Sequence, residues 1–154
     1  MCSFSWLEVA RACLQAGDRV LVQAHGGSMR PFLRDGDIVE IVPIPAARLR
    51  IGDIVAIHRS GQTVLVHRVV HTGDGARHHC IETQGDANGS SDGWVESVQV
   101  IGKVITIVRD GKRINLSQGW RRWAGLGWAY SAPLRRYAIP LLRRLWLHWH
   151  RGMQ

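Results

Sequence analysis

The hydrophobic positions fall into three regimes along the chain. Near the N-terminus they recur at helical spacing, with Trp6, Val9 and Cys13 on one line and Leu7, Ala10 and Leu14 on the next. Ser5 is placed to cap such a helix, Glu8 completes a capping box three residues on, and Gly17 supplies a stop. The pattern predicts a helix over residues 5–16 with its apolar faces packed on a core. From residue 19 the period changes to short runs rich in Val and Ile, separated by Gly, Asp, Asn and Pro. These runs predict strands at 19–24, 37–42, 53–58, 63–71, 79–84, 94–108 and 112–116. Ser60-Gly61 and Asp110-Gly111 read as tight hairpin turns, the second suited to type I′. The segment from Asp86 to Gly93 reads as a loop.

The third regime begins at residue 119. On a helix from Leu134, the residues Leu134, Ala138, Leu141, Leu142, Leu145 and Trp149 share one face. Arg136, Arg143, Arg144, His150 and Arg151 fall opposite, and Pro140 is expected to kink the helix. Charge sharpens the boundary. The 154-residue chain has a net charge of +8, but residues 1–111 sum to −1. Residues 112–154 hold nine Lys/Arg, no acid, and five of the seven tryptophans. The expectation is one mostly β domain over 1–118, with a short N-terminal helix, and a basic, Trp-rich amphipathic tail over 119–154. That tail composition suits an anionic membrane surface, which predicts a peripheral membrane protein, on a side the sequence does not specify. A helix packed back on the sheet competes with that reading. No run reaches the ~20 apolar residues that span a bilayer, and the N-terminus lacks the basic start and apolar core of a signal peptide.

Three cysteines, odd in number and without C-x-x-C spacing, argue against a disulfide framework or structural zinc. His78 and Cys80 would share a strand face, which is too few ligands for a metal. No metal, cofactor or nucleic-acid partner is expected.

The chemistry points to Gly26-Gly27-Ser28-Met29-Arg30-Pro31, between the run Val20 to Gln23 and the segment Asp35-Gly36-Asp37-Ile38-Val39. Two glycines allow unusual backbone angles, and Pro31 fixes φ after the serine. A hydroxyl on such a corner faces outward instead of packing in a core. This G-x-S-M-x-P…D-G-D pattern resembles the nucleophile box of the type I signal peptidases and the related repressor autoproteases. The resemblance covers about residues 19–110 and includes Gly52-Asp53-Ile54-Val55 and Gly102-Lys103-Val104. It implies a small signal-peptidase-like β fold, Ser28 as nucleophile, and Gly26, Gly27 and Met29 beside the substrate. Gly26 stands where many members have a Ser or Thr that helps bind the oxyanion, so the Ser28 N–H is expected to act with a different donor.

A serine nucleophile needs a base, and this box is used with either a buried lysine or a histidine. The chain has two lysines, Lys103 and Lys112, and neither lies at the family spacing. His67, in Val64-Leu65-Val66-His67-Arg68-Val69-Val70, does. The V-H-R-V context resembles the Ser-His branch, the archaeal and endoplasmic-reticulum type. The segment Gln84-Gly85-Asp86-Ala87-Asn88-Gly89-Ser90-Ser91-Asp92 resembles the family's K/Q-G-D-N-N-x-x-D-D loop, with both aspartates matched. Asp92 is expected to orient His67 and Asp86 to brace the loop, an assignment the sequence leaves nearly even. The expected function is a serine endopeptidase that removes signal or leader peptides from precursor proteins through an acyl-enzyme. The alternative is a non-catalytic membrane-surface or nucleic-acid-binding module that keeps the fold. Self-cleavage of the repressor kind is disfavoured, because the 18 residues before the first strand cannot hold a helix-turn-helix.

Overall fold

A computed structural model describes residues 6–59, 63–74 and 79–116, together with Gly127. The predicted Ser5 cap, the Ser60-Gly61 turn, His78 and the amphipathic tail lie outside the described residues.

The first helical pattern becomes α1, Trp6–Gln15. It ends as the sequence requires: Gly17 has φ +91, its N–H donates to the Leu14 carbonyl at 3.1 Å, and the Asp18 N–H donates to the Cys13 carbonyl at 3.0 Å. Leu7, Ala10 and Leu14 are buried, but Trp6 and Val9 are half exposed, so only one of the two predicted faces packs inward.

Among the described residues eight strands follow: β1 Val20–Gln23, β2 Ile38–Val42, β3 Ile54–Arg59, β4 Thr63–Asp74, β5 His79–Gln84, β6 Gly93–Glu96, β7 Val100–Arg109 and β8 Lys112–Asn115. The protein is therefore mostly β. Every pairing among them is antiparallel, in the order β1-β2-β7-β3-β4-β5-β6. Strand β7 takes β2 along one edge, and β3 followed by β8 along the other. The turn between β7 and β8 has φ +49 at Asp110 and +72 at Gly111, as a type I′ hairpin requires.

The predicted strand 94–108 is in fact two strands. Between β6 and β7 a 3₁₀ turn spans Ser97–Gln99, where the side chains of Glu96 and Gln99 each accept a backbone N–H from the other's end of the turn. Val98 is pushed into solvent, 69% exposed. The break lets the chain leave the sheet edge beside β5 and enter the centre between β2 and β3. The apolar spacing of Val95, Val98 and Val100 hid it from the sequence.

β3 explains its own composition. Ile54 and Ala56 pack with Leu14, Met29, Leu33, Val39, Ile41, Val104 and Ile107 on one face. Val55 and Ile57 pack with Leu49, Val69, Ile81 and Val95 on the other. A strand covered on both faces has no polar alternation to display.

The two G-D elements prove to be one device used twice. In Arg34-Asp35-Gly36-Asp37 and Arg50-Ile51-Gly52-Asp53, the glycine has φ +87 or +92, which a type II turn demands at its third position. The aspartate side chain then accepts the N–H of the arginine three residues back, at 2.7 and 3.0 Å. Each aspartate also meets a cation on β7: Asp37 takes a bidentate pair from Arg109 at 2.8 and 2.6 Å, and Asp53 takes Lys103 at 2.7 Å. The Arg109 hydrogen bond holds the Asp37 carboxyl below the usual carboxylate range. Glu40, buried on β2 between Arg19 and Arg113, is held low in the same way, chiefly by Arg19.

Candidate active site

The corner that carries Ser28 is held by backbone pairing beside β1 and by a side-chain bond at Gly26. After β1, Ala24 and Gly36 continue the pairing, with Ala24 N–H donating to the Asp37 carbonyl and Gly36 N–H to the Ala24 carbonyl. Gly26, with φ +90, gives its N–H to the Asp35 carboxylate at 2.8 Å. The chain then turns through residues 27–33, crossing a cis Arg30–Pro31 bond. Met29 and Leu33 sink into the core, 5% and 3% exposed. With those two anchored inward, Ser28 is left at the lip.

His67 comes from β4, opposite Val55, and is 4% exposed. Its Nε2 lies 3.0 Å from the Ser28 Oγ, and its Nδ1 lies 2.6 Å from Asp92 Oδ2. A carboxylate only accepts, so Nδ1 carries the proton and Nε2 is left to accept from the serine hydroxyl. Asp92 is held at three further points. Its N–H donates to the Thr83 carbonyl at 2.8 Å, its carbonyl accepts from Arg59 Nη2 at 2.8 Å, and its Oδ2 accepts from the Thr83 hydroxyl at 2.9 Å.

Asp86 has a different neighbourhood. It is fully buried, and Arg68 meets it with a bidentate pair, Nε to Oδ1 at 2.8 Å and Nη2 to Oδ2 at 2.7 Å. Arg68 also donates to the Gly52 carbonyl at 2.8 Å and lies over the Phe32 ring, 4.6 Å from its centroid. This pair holds the loop next to Ser28: the Ala87 N–H donates to the Ser28 carbonyl at 2.7 Å. The fit there is close. A Cβ on Gly85 would stand 2.8 Å from the Ser28 carbonyl oxygen and 2.7 Å from the Asn88 amide. The structure thus brings together Ser28, His67 and Asp92, and sets Asp86 apart with Arg68. Sequence reasoning missed Arg68 and Thr83. The signal for Arg68 was its place beside His67 in an apolar strand.

The substrate side is a groove of about 480 Å³. Val22 to Gly26 form one wall, Val64 to His67 the other, and Met29 lies in its lining together with Ser28. Trp6, at the start of α1, also borders it. Gly27 is not among the lining residues, and its carbonyl accepts from the Arg30 N–H at 3.2 Å. Among the described residues, both strand walls have an unused backbone edge: β1 pairs there only with β2, and β4 pairs with β5 only from Arg68 onward. Among the described residues, the Ser28 N–H makes no hydrogen bond. Lys103 is two strands away on β7 and engaged with Asp53, and Lys112 is exposed on β8.

An antiparallel β domain with a serine, a histidine and a carboxylate in hydrogen-bonded series has the form of a serine-peptidase-like domain. The family profile described as Peptidase S24-like matches residues 5–105, about two thirds of the chain, and the chain belongs to that family. A search of curated proteins found no match.

Proposed function

We propose that the protein is a serine endopeptidase that cuts extended segments of precursor proteins, removing signal or leader peptides. The observation that carries this reading is the Ser28–His67–Asp92 series opening on a groove whose two strand edges are unpaired among the described residues. In this reading a substrate strand adds between β1 and β4 by backbone hydrogen bonds. His67 takes the Ser28 proton as Oγ attacks the scissile carbonyl, and Asp92 stabilises the imidazolium that forms. The Ser28 N–H supplies one oxyanion donor. The protonated His67 then donates to the leaving amine, and a water activated by His67 hydrolyses the acyl-enzyme. The resemblance of the nucleophile box to signal peptidases supports small side chains at P1 and P3. Residues 119–154, read from their sequence, would hold the enzyme peripherally at an anionic membrane surface where such precursors emerge.

A fluorophosphonate probe on the intact protein and on Ser28→Ala tests the nucleophile. Incubation with precursor proteins, followed by mass spectrometry of the new termini, tests the substrate class. Ser28-dependent labelling and cleavage after small residues are expected. Labelling that persists in Ser28→Ala rejects the mechanism, and a Ser28-dependent cut confined to the protein's own chain replaces the precursor reading with self-cleavage.

A further inference from the structure

We propose that Thr83 is a fourth, positioning member of the catalytic series, its hydroxyl fixing which oxygen of Asp92 faces His67. The inference rests on the serine-peptidase reading. Thr83 lies on β5, paired with Val69 on one side and Gly93 on the other, and is fully buried. Its hydroxyl donates to Asp92 Oδ2 at 2.9 Å, and His67 Nδ1 approaches the same oxygen at 2.6 Å. The Thr83 carbonyl accepts the Asp92 N–H at 2.8 Å. One strand residue thus grips the aspartate by backbone and side chain together.

The terminal torsion of an aspartate is soft and nearly two-fold, so backbone anchoring alone leaves its two oxygens interchangeable. Two donors converging on Oδ2 remove that freedom. The β-branched Thr83 is itself stiff at χ1, so the hydroxyl's direction is set by the strand. The hydroxyl is the informative part of this side chain. Valine has the same shape and suits a buried strand as well, and a buried hydroxyl is costly unless it is bonded. The Arg59 guanidinium holds the Asp92 carbonyl, and the Arg68 guanidinium is engaged with Asp86 and the Gly52 carbonyl, so neither replaces the Thr83 donor on the carboxylate. Asp92 held in this way keeps the Nδ1 proton in place and leaves Nε2 aimed at Ser28 before substrate arrives.

The test compares full-length Thr83→Val, Thr83→Ser and Thr83→Ala with the parent. One readout is the rate of fluorophosphonate labelling at Ser28. The other is the low-field proton resonance of His67 Nδ1 in protein labelled with ¹⁵N-histidine, which needs no substrate. Thr83→Val is expected to label about tenfold more slowly, the size expected for a hydrogen bond to a charged group. Its Nδ1 resonance should move upfield or vanish into exchange with water. Thr83→Ser should restore both. If Thr83→Val does not fold, Thr83→Ala against Thr83→Ser makes the same comparison. A hydroxyl-free variant with the parent's labelling rate and resonance overturns the proposal, and so does a Thr83→Ser protein as slow as the valine variant. Absence of Ser28-dependent labelling in the parent overturns the peptidase reading instead, and the resonance arm still decides whether Thr83 sets the His67–Asp92 pair.

Discussion

The Ala87 amide donates to the carbonyl of Ser28 at 2.7 Å, so the loop carrying Asp86 holds Ser28 by its backbone and leaves its hydroxyl to His67. Two independent constructions meet at Ser28. One is the hydrogen-bonded series through His67 to Asp92, the proton path of the proposed reaction, and the other is the frame through Arg68, Asp86 and Ala87.

Substitution of the proton path should remove activity without removing the fold. Ser28→Ala and His67→Ala are each expected to lower kcat by about 10⁴-fold or more, and the double variant should be little worse than either, because members of one unit are not additive. Lys103→Ala should keep the chemistry and lower stability through the loss of its pair with Asp53. Peptide-cleavage kinetics and thermal melts of the four proteins check this. Additive losses in the double variant, or loss of activity in a folded Lys103→Ala, would point to a different base.

Removing the frame should show first in stability. Asp86→Asn leaves a buried Arg68 with one carboxylate oxygen gone, and breaking a buried pair costs about 3–5 kcal/mol. A melting temperature lower by about 10 °C is expected for a domain of this size. Asp92→Asn should instead lower kcat with a much smaller change in melting temperature. The reverse pattern exchanges the two roles.

Gly85→Ala places a methyl against the Ser28 carbonyl and the Asn88 amide. The loop or the nucleophile must shift. Cleavage should fall at least tenfold, since misplacement by about an ångström costs about 10²-fold. Gly111→Ala, with open space around its Cβ but φ +72, is the control: it should lose stability and keep kcat. Equal kinetics in both variants would reject a tight loop–nucleophile contact.

Much of this was legible in the sequence, and the reasons differ by element. The glycine-rich corner points to Ser28 by residue type, while His67, Asp92 and Asp86 could be named through the resemblance of the V-H-R-V strand and the Gln84–Asp92 loop to family motifs, because a lone histidine in an apolar strand carries no chemistry by itself. Thr83 could not, because a threonine in a strand is what β propensity alone supplies, and only its partner gives it meaning. The 3₁₀ break at Ser97–Gln99 was hidden because its apolar residues keep a spacing compatible with one long strand. The pairing of both G-D turns with β7 was equally hidden, since Asp37 and Arg109 lie 72 residues apart.

Acid should weaken the fold through the carboxylates that Arg109 and Arg19 hold low. A carboxyl depressed in the folded state contributes stability above its ordinary range, near pH 4, and that contribution is lost as pH falls through the lower folded value. Melting temperature should be flat from neutrality to about pH 5 and fall below pH 4. Arg109→Met leaves Asp37 buried without its partner, so its deficit against the parent should be largest at pH 7 and narrow as Asp37 protonates. Melts over a pH series decide it. A deficit that does not change with pH would mean that Arg109 acts through packing alone.

The basic tail should confer salt-sensitive binding to anionic vesicles. A chain ending at residue 118 should still cleave a short peptide, yet cut a vesicle-tethered substrate poorly because its effective concentration is lower. The intact chain should co-sediment with anionic but not neutral vesicles and be partly released as salt rises. Equal partitioning of both forms would reject the membrane role, and a truncated chain that does not fold would place the tail in the core.

The place of β7 has a consequence for how the molecule comes into being. Ser28, His67, Thr83, Asp86 and Asp92 are all translated before Val100, yet β2 and β3 have no shared neighbour until β7 is laid between them. A ribosome-bound chain ending before Val100 would hold Ser28, His67 and Asp92 on two separate pieces of sheet, β1–β2 and β3–β4–β5–β6, with nothing laid between them. Pairings such as Ile41 with Val104 must close long loops, a feature that slows folding. The two pieces that carry Ser28, beside β1, and His67, on β4, are thus joined by β7, a strand that contributes no atom to the Ser28–His67–Asp92 series.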